Sequence, residues 1–110
     1  MTGVPEMTVI ELKERLDRGE RLALVDVREP YEWEICNLEP YGAKLIPLGD
    51  LVGRLAEVDR DTQVVMVCRT GNRSRRAAQV LMQAGFSGVY NLTGGMAAWS
   101  DEIDPRIPRY

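Results

Sequence analysis

The segment Val64 to Leu81 reads "VVMVCRTGNRSRRAAQVL". An apolar run ends in Cys68, and a glycine-containing loop with two arginines leads directly into a helix-like segment. A cysteine that only fills a core needs no such neighbours, whereas a nucleophilic one does. The thiolate is the reactive form, and both a helix N-terminus and nearby cationic charge favour an anion. Arg69 and Arg73 supply the charge. Gly71 lets the loop Arg69, Thr70, Gly71, Asn72, Arg73 curl and aim its backbone amides inward. The same features would hold an anionic substrate. The chain contains no histidine, so neither a Cys/His pair nor a Ser/His/Asp triad can form within it. Activation of Cys68 is left to the loop.

The loop length bears on which anion. Cysteine phosphatases place five residues between their cysteine and arginine, around a tetrahedral phosphate. Here four residues separate Cys68 from Arg73. The tighter cradle is better matched to a single sulfur atom, so the expectation is a persulfide on Cys68, with phosphatase or arsenate reductase chemistry disfavoured. The plainer alternative makes Cys68 a small buried hydrophobe beside solvated arginines. The combination of cysteine, glycine loop, arginines and helix start at one strand end weighs against it.

Such a loop needs a strand before it and a helix after it. "QVVMV" (Gln63 to Val67) is expected as a buried strand, and Ser74 to Ala84 as a helix with Ala77, Ala78, Val80, Leu81 and Ala84 at helical spacing and Gly85 as its stop. "LALVDV" (Leu22 to Val27) is a second buried strand and "GVYNL" (Gly88 to Leu92) a third. Thr8 to Gly19 reads as a capped helix, with Thr8 and Glu11 in the spacing of a capping box. "EPYEWEI" reads as a short helix, and Asp50 as the cap of a helix through Glu57. "KLIPL" is a short extended piece, because Pro47 disfavours a central strand. "GGMAAWSDEI" opens the last helix, and residues 104–110 form an irregular tail. Strands alternating with helices indicate an α/β domain with a mainly parallel central sheet and ligands bound beyond the strands' carboxyl ends.

The length of 110 residues suits one domain with one core. The net charge of -3 gives no bulk attraction to nucleic acid or anionic membrane, and neither partner is expected. No apolar run would span a bilayer and no secretory signal opens the chain, so the cytoplasm is the expected compartment. Two cysteines, Cys36 and Cys68, make neither a disulfide framework nor, without histidine, a four-ligand zinc site. No metal or organic cofactor is expected.

Taken together, "LVDVREPYEWEI", "GAKLIPLGDL", "VVMVCRTGNRS" and "VYNLTGGMAAW" make the chain resemble a rhodanese-homology domain over nearly its whole length. The resemblance implies a single-domain rhodanese-like fold over residues 1–110, with helices on both faces of the sheet. It implies a sulfurtransferase in which Cys68 carries sulfane sulfur inside the loop Arg69 to Arg73. The donor would be a small anion such as thiosulfate. The acceptor would be a thiol, cyanide or a ubiquitin-like sulfur-carrier protein. "WEICNLEPYGAKLIPL" and "IDPRIPRY" look most like the rhodanese domains fused to ubiquitin-activating-like adenylyltransferases of the molybdopterin, thiamine and tRNA-thiolation pathways. The first helix begins close to Met1, so a free-standing domain is expected here. Many rhodaneses read Gly-His-Ile-Pro-Gly-Ala where this chain has "CNLEPYGA", which puts Asn37 in place of the histidine and extra residues before Gly42. A rhodanese-like module that binds a partner without turnover is the alternative, and functional sites rather than folds decide between them.

The remaining candidates are given structural roles. Asp26 and Arg28, at the end of the first strand, are read as an ion pair supporting the site. Cys36 is read as a buried thiol rather than a resolving one, and Trp99 as core. Gly94 and Gly95 are read as a tight turn into the last helix. Arg75 and Arg76 are equally a basic rim for an acidic partner or a solvated helix face.

Overall fold

The computed structural model describes residues 3–110. Five strands form one sheet: β1 (Glu6–Met7), β2 (Leu22–Asp26), β3 (Lys44–Leu45), β4 (Gln63–Val67) and β5 (Val89–Leu92). Their spatial order is β1-β5-β4-β2-β3, and every neighbouring pair is parallel. The two strands expected to be most buried, β2 and β4, pair along their full lengths from Leu22 opposite Gln63 to Asp26 opposite Val67. Their apolar sequences suit a sheet covered on both sides. β3 lies at the sheet edge and stops before Pro47, whose missing N–H cannot serve a central ladder. β1 has no counterpart in the sequence reading, since two residues are too short to show an alternation.

Four helices cover the sheet: α1 (Val9–Asp17), α2 (Pro30–Ile35), α3 (Asn72–Gln83) and α4 (Gly95–Glu102). The period of a strand divides β4 between two cores. Val64, Met66 and Cys68 face one core with Ala77, Ala78 and Leu81 of α3. Val65 and Val67 face the other with Leu12 of α1 and Met96 and Trp99 of α4. Cys68 therefore points at α3 because it continues the alternation of β4. Trp99 is buried in the second core, edge-on to Tyr41 at 5.5 Å between ring centres.

Three local expectations are corrected. The segment from Asp50 to Glu57 is two 3-10 stretches, Leu48–Asp50 and Val52–Glu57, with Asp50 inside the first and capping nothing. Gly49 and Gly53 disfavour a longer helix there, and Leu51, fully buried, anchors the junction. α3 starts at Asn72, two residues before Ser74, because Gly71 at φ +102° is its N-cap and its carbonyl accepts the Arg75 N–H. At α1, Thr8 Oγ1 accepts the Glu11 N–H at 3.1 Å, but the Glu11 carboxylate pairs with Arg15 rather than returning to Thr8. Among the described residues no helix is long and apolar enough to cross a membrane.

Candidate active site

Cys68 follows the last residue of β4 and is 1% exposed. Its Sγ accepts the Gly71 N–H at 3.1 Å and lies 3.2 Å from Ser74 Oγ. The curl that brings the Gly71 amide onto the sulfur needs the positive φ of Gly71. A Cβ there would also meet the Gly94 nitrogen at 3.3 Å and the Leu92 carbonyl oxygen at 3.4 Å. The first N–H groups of α3, from Asn72 to Ser74, have no acceptor within their own helix and so add to the anion-favouring end of the loop.

The loop is held from beneath by α4. The Met96 N–H donates to the Cys68 carbonyl and the Ala97 N–H to the Arg69 carbonyl, both at 2.9 Å. With both carbonyls turned toward α4, the loop amides are free to face the sulfur. Gly95 makes this approach possible, because a Cβ at that position would lie 2.3 Å from the Cys68 oxygen. From the sequence, Gly94 and Gly95 are expected only to form a turn. The structure also makes Gly95 the seat of the cysteine loop.

The two arginines of the loop are placed differently. Arg73 forms a two-pronged pair with Glu32 of α2, Nη1 to Oε1 at 2.6 Å and Nη2 to Oε2 at 2.8 Å. Such paired hydrogen bonds fix the guanidinium plane. Arg69 is exposed and has no carboxylate partner among the described residues. Its guanidinium lies over the Tyr110 ring, 5.0 Å from the centroid. Thr70 and Asn72 are exposed at the loop surface. Arg75 reaches Glu6 at 3.1 Å, and Arg76 is exposed.

Below the loop, Asp26 and Arg28 form a fully buried pair, with Arg28 Nη2 2.7 Å from Asp26 Oδ2. Arg28 Nη2 also donates to the Cys36 carbonyl at 2.6 Å, and Nη1 donates to Tyr110 Oη at 2.7 Å. Burial acts against the Arg28 charge, and hydrogen bonds and charge from Asp26 outweigh it. Tyr110 Oη passes a hydrogen bond to Glu32 Oε2 at 2.9 Å. Burial pushes the Tyr110 hydroxyl up to about 12, so it remains protonated and able to donate. The last residues thus fold back onto the loop, where Arg69, Thr70, Met96, Ala97, Pro108, Arg109 and Tyr110 line a small cleft. Cys36 is a buried free thiol whose Sγ neighbours are Arg28 Nη1 and the Pro108 carbonyl, each at 3.9 Å.

Four residues escaped the sequence reading as parts of this site: Glu32, Ser74, Asn91 and Tyr110. Asn91 had a signal, since a polar residue in the buried strand "VYNL" requires partners. It donates to Glu6 Oε1 at 3.0 Å and to the Gly71 carbonyl at 3.1 Å. Tyr110, in an irregular tail, had none.

A family model for the rhodanese-like domain matches residues 8–102. The chain belongs to the rhodanese-like domain family. The putative sulfurtransferase YtwF of Bacillus subtilis (strain 168) is 35% identical over 103 residues, covering 94% of this chain and 97% of YtwF. The probable adenylyltransferase/sulfurtransferase MoeZ of Mycobacterium tuberculosis is 41% identical over 106 residues, covering 94% of this chain but 26% of MoeZ. The chain therefore spans about a quarter of the length of MoeZ. The crystal structure of a rhodanese-like domain protein from Staphylococcus aureus superposes with a TM-score of 0.82 at 31% identity, over 91% of this chain and 95% of that one. The all-parallel sheet with helices on both faces is the rhodanese fold, and YtwF and MoeZ are themselves named as sulfurtransferases.

The Glu32–Arg73 clamp predicts a pH effect on stability. Hydrogen bonds from Arg73, with further ones from the Glu29 N–H and Tyr110, outweigh burial and hold the Glu32 carboxyl at about 2 against an ordinary 4.5. A carboxyl depressed in the folded state stabilises above its unfolded value and loses that contribution as pH falls through the folded one. Stability should therefore fall between pH 4.5 and about 2. This group's share is about 2 kcal/mol once screening at the half-exposed Arg73 is allowed for. Glu32→Gln should lower the urea midpoint at neutral pH and flatten its decline in that acid window. An unchanged slope would mean the clamp contributes nothing.

Proposed function

We propose that this rhodanese-family protein is a sulfurtransferase that carries sulfane sulfur as a persulfide on Cys68. The observation carrying this reading is the setting of Cys68 Sγ, which takes the Gly71 N–H at 3.1 Å at the start of α3 inside a loop bearing Arg69 and Arg73. The Cys68 thiolate attacks the outer sulfur of thiosulfate. A new S–S bond forms, the sulfur–sulfur bond of thiosulfate breaks, and sulfite leaves with its electron pair. A nucleophilic acceptor then attacks the terminal sulfur. Cyanide in that role leaves as thiocyanate and returns Cys68 as thiolate. The loop amides stabilise the charge in both steps, since preorganised donors act most strongly where charge develops. Arg69 and Arg73 add positive field, Arg73 while held by Glu32 and Arg69 from the loop surface.

The relative YrkF of Bacillus subtilis, 31% identical over 103 residues, is named a putative sulfur carrier protein. A thiol or a sulfur-carrier protein is accordingly our acceptor class. A reducing compartment such as the cytoplasm suits this chemistry, because it keeps both free cysteines as thiols.

Intact-protein mass after incubation with thiosulfate tests the reading. The expected result is a gain of one sulfur that cyanide removes. No gain from thiosulfate or from a low-molecular-weight persulfide would overturn it and leave partner binding as the role of the loop.

A further inference from the structure

We propose that Asn91 sets the protonation of Cys68 by competing with its sulfur for the single proton of the Ser74 hydroxyl. The proposal rests on the reading of Cys68 as the nucleophile, but its geometry involves no sulfur donor. Cys68, Ser74 and Asn91 are each at most 1% exposed. Their hydrogen bonds must therefore be met by one another and by the protein around them.

The orientation of Asn91 follows from its neighbours. Its Nδ2 lies 3.0 Å from Glu6 Oε1 and 3.1 Å from the Gly71 carbonyl oxygen. Glu6 itself receives hydrogen bonds from Arg75 Nε and Thr93 Oγ1. Both groups facing Nδ2 are acceptors, so the amide nitrogen belongs there and Oδ1 faces Ser74. That oxygen can only accept, and Ser74 Oγ is hydrogen-bonded to it. On its other side Ser74 Oγ lies 3.2 Å from Cys68 Sγ.

A serine hydroxyl carries one proton. While Cys68 is a thiol, its S–H donates to Ser74 Oγ, Ser74 donates to Asn91 Oδ1, and every group is satisfied. When the Cys68 proton leaves to water, the sulfur becomes an acceptor. Ser74 can then serve the sulfur or Asn91 but not both. If the hydroxyl turns to Sγ, Asn91 Oδ1 is buried against another oxygen without a donor. If it stayed, the sulfur anion would forgo a hydrogen bond, the larger loss for a charged acceptor, so the hydroxyl turns. An unmet buried acceptor is costly in either arrangement, and the cost falls only on the thiolate. Asn91 thus opposes the Gly71 amide and the cationic loop. The charged groups around this set are Arg69 and Arg73 of the loop, Glu32 through Arg73, Glu6 through Asn91, and Arg75 through Glu6. None of them supplies the missing proton.

The test follows the pH dependence of iodoacetamide alkylation, read at Cys68 by peptide mass. Asn91→Leu should move the midpoint down by about one pH unit, a tenfold gain in reactive fraction at a fixed pH below it. Ser74→Ala should move it up. The downward shift should be lost or much reduced when Asn91→Leu is made in the Ser74→Ala background, because the competition runs through that hydroxyl, whereas the bond from Asn91 to the Gly71 carbonyl is common to both backgrounds. A purely structural Asn91 would give the same shift in both backgrounds, and that outcome, or an upward shift in Asn91→Leu, would overturn the proposal. If Asn91→Leu does not fold, carbon NMR of the Asn91 side-chain carbonyl decides instead. It should change through the alkylation midpoint in the wild type and stay flat in Ser74→Ala, and a flat wild-type signal would refute the relay. Failure of the sulfur-carrying reading would look different, with no mass gain from thiosulfate while these midpoints still shift.

Discussion

Cys68→Ala is expected to gain no mass from thiosulfate and to lose sulfur transfer to cyanide by on the order of a thousandfold or more, as removal of a nucleophile does elsewhere. The other sulfur in reach of this prediction is Cys36, which sits in the opposite core, on the far side of the sheet from α3. It is enclosed by Arg28 and the Pro108 carbonyl, so it should not substitute. Cys36→Ala should accordingly keep sulfur loading. The fold should survive Cys68→Ala, because Cys68 is a small side chain whose removal leaves the packing of Val64, Met66 and Leu81 in place. A variant that lacks Cys68, remains folded by circular dichroism and still takes one sulfur would sink the assignment.

Gly95→Ala is the second change expected to have a large effect, and it touches no reacting atom. The added methyl would lie 2.3 Å from the Cys68 carbonyl oxygen and 2.8 Å from the carbonyl carbon and oxygen of Arg69. These are backbone atoms and cannot rotate away. The loop and α4 would have to separate, breaking the bonds from the Met96 and Ala97 N–H groups. The positive φ of Gly95, +54°, adds strain for alanine. We expect a stability loss of about 3 kcal/mol or more. In the protein that remains folded, sulfur loading should slow by on the order of a hundredfold, as a displaced nucleophile implies. Gly53→Ala is the control, since nothing lies within 4 Å of a Cβ there. Urea unfolding and loading rates of the three proteins, wild type, Gly95→Ala and Gly53→Ala, decide the matter. Wild-type values for Gly95→Ala would mean that α4 does not position the loop.

Much of this protein is written locally. The strands β2 and β4, the helix α3 and the cysteine loop follow from apolar runs, helical spacing and a glycine at the turn, all within windows of a few residues. The candidate site around Cys68 was legible for the same reason, because cysteine, loop, glycine and helix start are contiguous. Boundaries were less so. α3 begins at Asn72 rather than Ser74 because a left-handed Gly71 can cap it, and the residues after Pro47 coil into 3-10 turns around the buried Leu51.

What the tertiary structure alone decided is which side chains govern that loop. The spatial order β5-β4-β2 puts the ends of β2 and β5 on either side of Cys68. Glu32, 41 residues before Arg73, thereby takes one loop arginine, and Asn91, 17 residues after Ser74, takes the hydroxyl beside the sulfur. Tyr110, 82 residues from Arg28, closes the network from the far end of the chain. Periodicity and turn chemistry act through neighbouring peptide groups and fade within a few residues. Partners brought together by strand order leave no such pattern, so the sequence by itself determined the strand, the cysteine loop and the helix start, while the folded sheet determined which distant side chains meet that loop.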